Sequence, residues 1–172
     1  MTGRHPDTLA WHAKWPHGPS IPVERKVRPM DETYSVMYLP LFEPGNKLQP
    51  STKIGMRDAL KRNFGSVLQV DYMANRLEDI FAMADAYQPD IFVFQLQDAN
   101  RINAQLMATL RLHHPIARFV NWNGDYHPEN LFSQPYIQLM QQFDLCGFVT
   151  TQMAELYDSH HVNWFYWQIG RS

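Results

Sequence analysis

From Thr33 onward the chain alternates between two kinds of apolar run. Short β-rich stretches, Tyr34–Leu41, Val67–Tyr72, Ile91–Gln95, Ala117–Trp122, Leu145–Thr150 and Asn163–Trp167, are separated by segments whose apolar residues recur every third or fourth position. Strands divided by amphipathic helices predict βαβ units, and βαβ units predict a parallel sheet. Ser51 or Thr52 caps a first helix running to about Asn63, with Ile54, Leu60 and Phe64 inward and Gly65 as its stop. The clearest helix opens at Asn75, with Glu78 in capping-box position and Leu77, Ile80, Phe81, Ala84 and Tyr87 on one stripe. A third spans about Arg101–His113, with Ile102, Leu106 and Leu110 inward, and ends at Pro115. Weaker periods predict helices over about Leu131–Gln142 and over Gln152–Ser159, the latter with Met153, Leu156 and Tyr157 inward.

Ile91–Gln95 is apolar without alternation, as is Phe119–Val120, which is the pattern of central parallel strands covered on both faces. The expected fold class is therefore α/β: one Rossmann-like, open, mainly parallel sheet of about six strands with helices on both faces. Residues 31–170 form its single domain. Residues 1–30 differ, with Pro6, Pro16, Pro19, Pro22 and Pro29, the histidines His5, His12 and His17, and no period. They are expected to form an extended arm, whose Trp11, Trp15, Ile21 and Val23 are available to dock, since a disordered tail seldom spends two tryptophans. Arg171-Ser172 reads as a cloning remnant.

Composition narrows the function classes. The 172 residues are 45% apolar, enough for a real core, and the net charge is -2 with the charged residues mixed along the chain. That distribution, with a pI near 6.4, lacks the basic face of a nucleic-acid binder. The single cysteine, Cys146, excludes an intrachain disulfide and lies in the apolar run Leu145–Val149, where a buried inert thiol is expected. Neither clustered Cys/His ligands nor a DxD-type acidic pair occurs, so no metal is expected in structure or chemistry. No run approaches the roughly 18 apolar residues of a membrane span, and no secretory leader is visible, so the cytoplasm is the expected compartment.

In open α/β sheets, ligands collect beyond the carboxyl ends of the strands. After the first strand come Phe42-Glu43-Pro44-Gly45-Asn46-Lys47 and a helix start, where Gly45, Asn46 and Lys47 suit an anion or form an ordinary βα turn. Neither GxGxxG nor GxxxxGK[ST] is present, which removes the main support for dinucleotide and P-loop readings. After the third strand, Asp98 and Asn100 are natural helix caps, while the amides of Gln95, Gln97 and Asn100 suit a hydroxyl-rich ligand. The fourth strand leads into Asn121-Trp122-Asn123-Gly124-Asp125-Tyr126-His127, a carboxylate and an imidazole two residues apart among aromatics. Asp125 or His127 suits the general base, with Asn123, Gly124 and Tyr126 as binding residues; alternatively Asn123-Gly124 makes a tight turn capped by Asp125. After the fifth strand, one of Thr150 and Thr151 caps a helix and the other hydroxyl is spare.

Three of these stretches together resemble the N-terminal domain of GT-B-type glycosyltransferases, in the group-one and spore-maturation-protein-like branch. They are Pro89-Asp90-Ile91-Phe92-Val93-Phe94-Gln95 followed by a helix and Val120-Asn121-Trp122-Asn123-Gly124-Asp125, then Phe143-Asp144-Leu145-Cys146-Gly147-Phe148-Val149-Thr150-Thr151, and last Val162–Gly170. The proline usual in the last segment is absent, with Gln168 in that neighbourhood, and the glycine pair after the first strand is reduced to Gly45. The resemblance implies a metal-independent transferase without a cofactor, using a nucleotide-sugar donor and a hydroxyl-bearing acceptor. It implies that this domain binds the acceptor and supplies any base. A C-terminal donor-binding domain, absent from the chain, would complete the enzyme. A receiver domain would need an acidic pair where Leu41-Phe42 stand and a lysine near Thr150-Thr151-Gln152, and a cobalamin module would need DxHxxG; neither pattern is met. The remaining alternative is a non-catalytic nucleotide- or sugar-binding module, or an interaction domain, of the same fold.

Overall fold

The structure, a computed structural model, describes residues 33–41 and 55–167. The expected arm, the caps Ser51 and Thr52, and the terminal dipeptide lie outside those residues. The described elements run β1 (Ser35–Leu39), α1 (Arg57–Asn63), β2 (Ser66–Gln69), α2 (Leu77–Tyr87), β3 (Ile91–Phe94), α3 (Ala104–His113), β4 (Arg118–Asn123), α4 (Pro128–Leu131), α5 (Gln134–Met140), β5 (Leu145–Phe148), α6 (Ala154–Ser159) and β6 (Trp164–Tyr166). All pair in parallel in one six-stranded sheet of order β2-β1-β3-β4-β5-β6. The fold is α/β and Rossmann-like, as the alternation of runs predicts.

That strand order decides how the two faces are covered. The chain steps from β1 to the edge strand β2, then reverses across β1 to β3 and continues one way to β6. Right-handed crossovers put α1 on one face and every later helix on the other. On the later helices' face, Met37, Leu39, Phe92, Phe94, Phe119, Cys146 and Phe148 join residues of α2–α6 in one core. On the opposite face, Val36, Tyr38, Ile91 and Val93 pack with Leu60 of α1 in a smaller one.

The non-alternating sequence of β3 and β4 therefore does not give equal burial. Phe92, Phe94 and Phe119 are fully buried, whereas Ile91, Val93 and Val120 are only half-buried. Both sides of these strands are apolar, but the side carrying Ile91, Val93 and Val120 has α1 as its only described helix, and α1 reaches β1–β3 alone.

Two aspartates brace the amino edge by the same device. Asp90, just before β3, accepts from the Ser35 amide and hydroxyl at 2.8 Å each. Asp144, just before β5, accepts from the Phe119 amide at 2.8 Å and takes both amine groups of Arg111 at 3.2 Å. Each carboxylate thus terminates the neighbouring strand, and the Pro89-Asp90 and Phe143-Asp144 motifs act far from the carboxyl edge. The Arg111 guanidinium also lies 4.9 Å from the Phe119 ring centre.

Several local expectations shift. Asn75 does not cap α2: the cap is Arg76, without a side-chain bond, and the Asn75 amide donates to the Asp71 carbonyl instead. Asn103, not Asp98 or Asn100, caps α3, accepting from the Leu106 amide at 3.0 Å. The helix expected over about Leu131–Gln142 is the shorter α5, preceded by the separate α4; each has a proline in its first turn, where Pro128 and Pro135 are tolerated. Cys146 is fully buried between Met140 and the sheet, and burial pushes its thiol pKa up, as expected of an inert cysteine.

Two outcomes follow. Asp144→Ala removes the acceptor of the Phe119 amide and the carboxylate partner of Arg111, which keeps its bond to the Gln142 carbonyl, and is expected to cost about 2–3 kcal/mol in denaturant unfolding; an unchanged midpoint would contradict the brace. His114 is buried with its ring edge toward Phe92, and burial lowers its pKa from 6.5. Asp85 Oδ1, 3.2 Å from Nε2 but outside hydrogen-bond geometry, offsets only part of that. A base with a depressed folded pKa contributes stability that is complete above about pH 6.5 and is lost as pH falls from there through the folded pKa. His114→Gln should flatten the fall in urea midpoint between about pH 7 and pH 5; an identical slope in the variant would contradict it.

Candidate functional site

The carboxyl edge is built on buried amides. Asn121 and Asn123 occupy alternate, inward positions of β4 and are 0% and 1% exposed. An amide this deep must be satisfied from within. Asn121 Oδ1 accepts from the Leu96 amide at 2.8 Å, and its Nδ2 lies 3.3 Å from the Leu96 carbonyl. Tyr136 of α5 donates to that same carbonyl at 2.7 Å and accepts from Asn123 Nδ2 at 2.9 Å. Burial raises the Tyr136 pKa well above the ordinary tyrosine value, so it keeps its donor proton. The segment leaving β3 is thereby fixed to β4 and to α5.

Asn123 carries this order outward. Its Oδ1 accepts from the Asp125 amide at 3.1 Å, forming the turn that presents Asp125 to solvent. Gly124 lies so close over the Trp122 ring that a Cβ there would come within 2.8 Å of it. The Gln97 amide then donates to the Asp125 carboxylate, and Tyr126 hydrogen-bonds Gln152 through its hydroxyl. The loops after β3, β4 and β5 are so joined side chain to side chain. His127, roughly half exposed, stands at the start of α4 with Glu129 Oε1 3.6 Å from its Nδ1.

The structure joins Gln97 to Asp125 and leaves Tyr126 and His127, of the same loop as Asp125, accessible at this edge. Asn123 and Gly124 belong to its foundation, since the Asn123 amide is satisfied internally at both ends. Asp98 is half-buried and turns its own loop, accepting from the Asn100 amide at 2.8 Å. Thr150 likewise accepts from the Gln152 amide at 3.2 Å, while Thr151 is exposed and its hydroxyl is not used as a helix cap. Gln95 is buried: its side chain accepts from the Leu41 amide at 3.2 Å and its carbonyl from the Tyr72 hydroxyl at 3.1 Å. Gly45, Asn46 and Lys47 lie outside the described residues.

Sequence reasoning passed over Tyr136, Gln152 and Arg101. Arg101 spans to the loop after β2, donating to the Tyr72 carbonyl at 2.6 Å and the Asn75 carbonyl at 2.5 Å. Its guanidinium is therefore committed to backbone. Among the described loops of this edge, the other cations are Arg76, 3.4 Å from Glu78, and His127 when protonated. Asp71, Asp98 and Asp125 supply the carboxylates. Among the described residues, amides, carboxylates and aromatic faces, with Arg101 committed to backbone and Arg76 beside Glu78, match a neutral, hydroxyl-rich ligand better than a phosphate. Among the described residues, no group of three or more His, Cys, Asp or Glu side chains is placed to hold a metal ion.

Tyr136→Phe removes one hydroxyl, leaving Asn123 Nδ2 buried without a partner. The expected cost is about 1–3 kcal/mol, together with faster amide exchange at Leu96 and Asp125; unchanged exchange at both would contradict the bracket. Compared with known proteins, the chain matches no family model and no curated relative.

Proposed function

We propose that this domain is the acceptor-binding half of a metal-independent GT-B-type glycosyltransferase, which moves a sugar from a nucleotide-sugar donor to a hydroxyl acceptor. The observation that carries the reading is the carboxyl-edge cluster of Gln97, Asp125, Tyr126 and His127 on a rigid footing. The sequence resemblance supplies the class of reaction; the cluster supplies residues of the right chemistry at the edge where such folds bind ligands.

An acceptor hydroxyl is a poor nucleophile at neutral pH, so an inverting transferase needs a base within hydrogen-bond reach of it. Asp125 is the carboxylate and His127 the imidazole of the same loop. Gln97, already donating to Asp125, fixes the carboxylate's orientation and leaves its other lone pairs for a hydroxyl. Tyr126 is 41% exposed, enough to offer its ring to the apolar face of a sugar. The donor would be held largely by a C-terminal domain, and neither a metal nor another cofactor enters the reaction.

The same Gln97–Asp125 contact favours a second reading. A carboxylate oriented by an amide is also a good binder of hydroxyls without any proton transfer, as in a non-catalytic sugar-binding module. Asp125→Asn and His127→Ala, each made in the protein carrying both domains, separate the two. Sugar transfer should fall by about 10²–10⁴ in at least one variant with folding intact. Turnover near normal in both, with unchanged acceptor affinity, would remove the catalytic assignment.

A further inference from the structure

β6 ends the sheet on one side, and among the described residues no strand lies beyond it. The Asn163 carbonyl accepts from the Cys146 amide at 2.9 Å, and the Trp167 amide donates to the Phe148 carbonyl at 2.7 Å. In a parallel pair alternate residues bond the same neighbour, so Phe165, between those two, also serves β5. The N–H and C=O groups of Trp164 and Tyr166 therefore face the open edge. Natural edge strands are blunted by charges, prolines or a covering element. The stretch Val162-Asn163-Trp164-Phe165-Tyr166-Trp167 holds neither a charge nor a proline, and Tyr166 is 50% exposed. The other edge strand, β2, is polar at both ends, with Ser66 and Gln69.

This edge is complementary to itself. Two copies related by a two-fold axis through Phe165, normal to the sheet, run antiparallel and set Trp164 of each opposite Tyr166 of the other. Opposed residues with outward backbone groups exchange N–H···O bonds in both directions, so every outward amide and carbonyl of the two strands is paired. An axis at Trp164 would instead set Tyr166 opposite Val162, whose amide is already committed to the Tyr157 carbonyl at 3.0 Å. Directly opposed side chains share a face, with Cβ atoms about 4.5–5.5 Å apart. Phe165 meets Phe165 of the second copy on the face where its ring already lies against Gly147. Trp164, packed against the main core, meets Tyr166 on the helical face. All three opposed pairs are aromatic, a combination that stabilises antiparallel strands, and no like charges meet at the axis.

We infer that this chain self-associates through β6, a second copy supplying the next strand of a continuous sheet across a two-fold axis at Phe165. The carboxyl edges of the two sheets then point in opposite directions, which leaves both Asp125 loops open. The pairing is independent of the ligand proposed for those loops.

Sedimentation, cross-linking and amide exchange of the full chain test this. The wild type should sediment as a dimer that dissociates on dilution. Tyr166→Pro removes an outward N–H and leaves the β5–β6 bonds in place. It should keep its circular dichroism while association weakens about tenfold or more. Phe165→Cys should oxidise to a disulfide-linked dimer, since a non-hydrogen-bonded pair sets its Cα atoms about 4.5 Å apart. Tyr166→Cys lies two residues along the strand from its counterpart and should not, and Cys146 is buried in both variants. Should Tyr166→Pro unfold, cross-linking at 165 without cross-linking at 166 decides in favour. Protection of the Trp164 and Tyr166 amides should also rise with protein concentration. A wild type that stays monomeric at the concentration of an NMR sample would overturn the inference, as would a dimer that Tyr166→Pro leaves equally tight. Cross-linking at 166 but not at 165 would overturn it too. So would amide protection independent of concentration, since a strand of the same chain would then fill the edge.

Discussion

The carboxyl edge depends on two asparagines that sit where a sheet would ordinarily place valines. Asn121 and Asn123 are inward residues of β4, and desolvating each amide is costly unless every polar atom finds a partner. They find them in the Leu96 backbone, the Tyr136 hydroxyl and the Asp125 amide. Packing alone could hold β3 and β4 side by side, as Phe92 stacked on Phe119 at 4.7 Å already does. It could not specify the path of the chain after the strands end. The amides do that, and so the loop bearing Asp125 starts from a fixed point rather than from a flexible hinge.

The two edges of the sheet consequently divide the work. At the amino edge, Asp90 and Asp144 are spent on strand-terminating amides, and Arg111 on Asp144. At the carboxyl edge, the polar residues lying deepest are likewise satisfied internally, and those further out, Gln97, Asp125, Tyr126 and His127, remain accessible. A gradient from satisfied to available polar groups, running outward from Asn121 of β4 through the loop after it to His127, is what a preformed ligand site requires. It also explains why Arg101 contributes no charge to that site: its guanidinium holds the loop after β2 in place.

Much of the fold was legible because period and punctuation agree. Leu77, Ile80, Phe81 and Ala84 fell on one stripe and pack as a stripe, and each expected strand pairs in the sheet. What misled was chemistry whose partner lies far along the chain. Asn75 and Glu78 form a capping-box pattern, yet Asn75 is drawn to the Asp71 carbonyl. Asp98 and Asn100 look like caps, but the chain runs on to Asn103 before turning helical. The unbroken apolar run of β3 implied equal cover on both faces, and a sequence period cannot report which helix lies above. Tyr136 was unreadable as a site residue because its value lies in reaching Leu96, 40 residues away.

On the proposed reading, a braced carboxyl edge presents Gln97, Asp125, Tyr126 and His127 to a neutral, hydroxyl-rich ligand. Backbone amide NMR of the chain, titrated separately with a methyl glycoside, a linear maltooligosaccharide and inorganic phosphate, tests it most directly. Saturable shifts are expected with a saccharide probe, confined to residues 97–100, 124–127 and 150–152, and none of comparable size with phosphate. Saturable phosphate shifts at those residues without any saccharide response, or saccharide shifts clustered instead at the amino edge around Asp90 and Asp144, would contradict it.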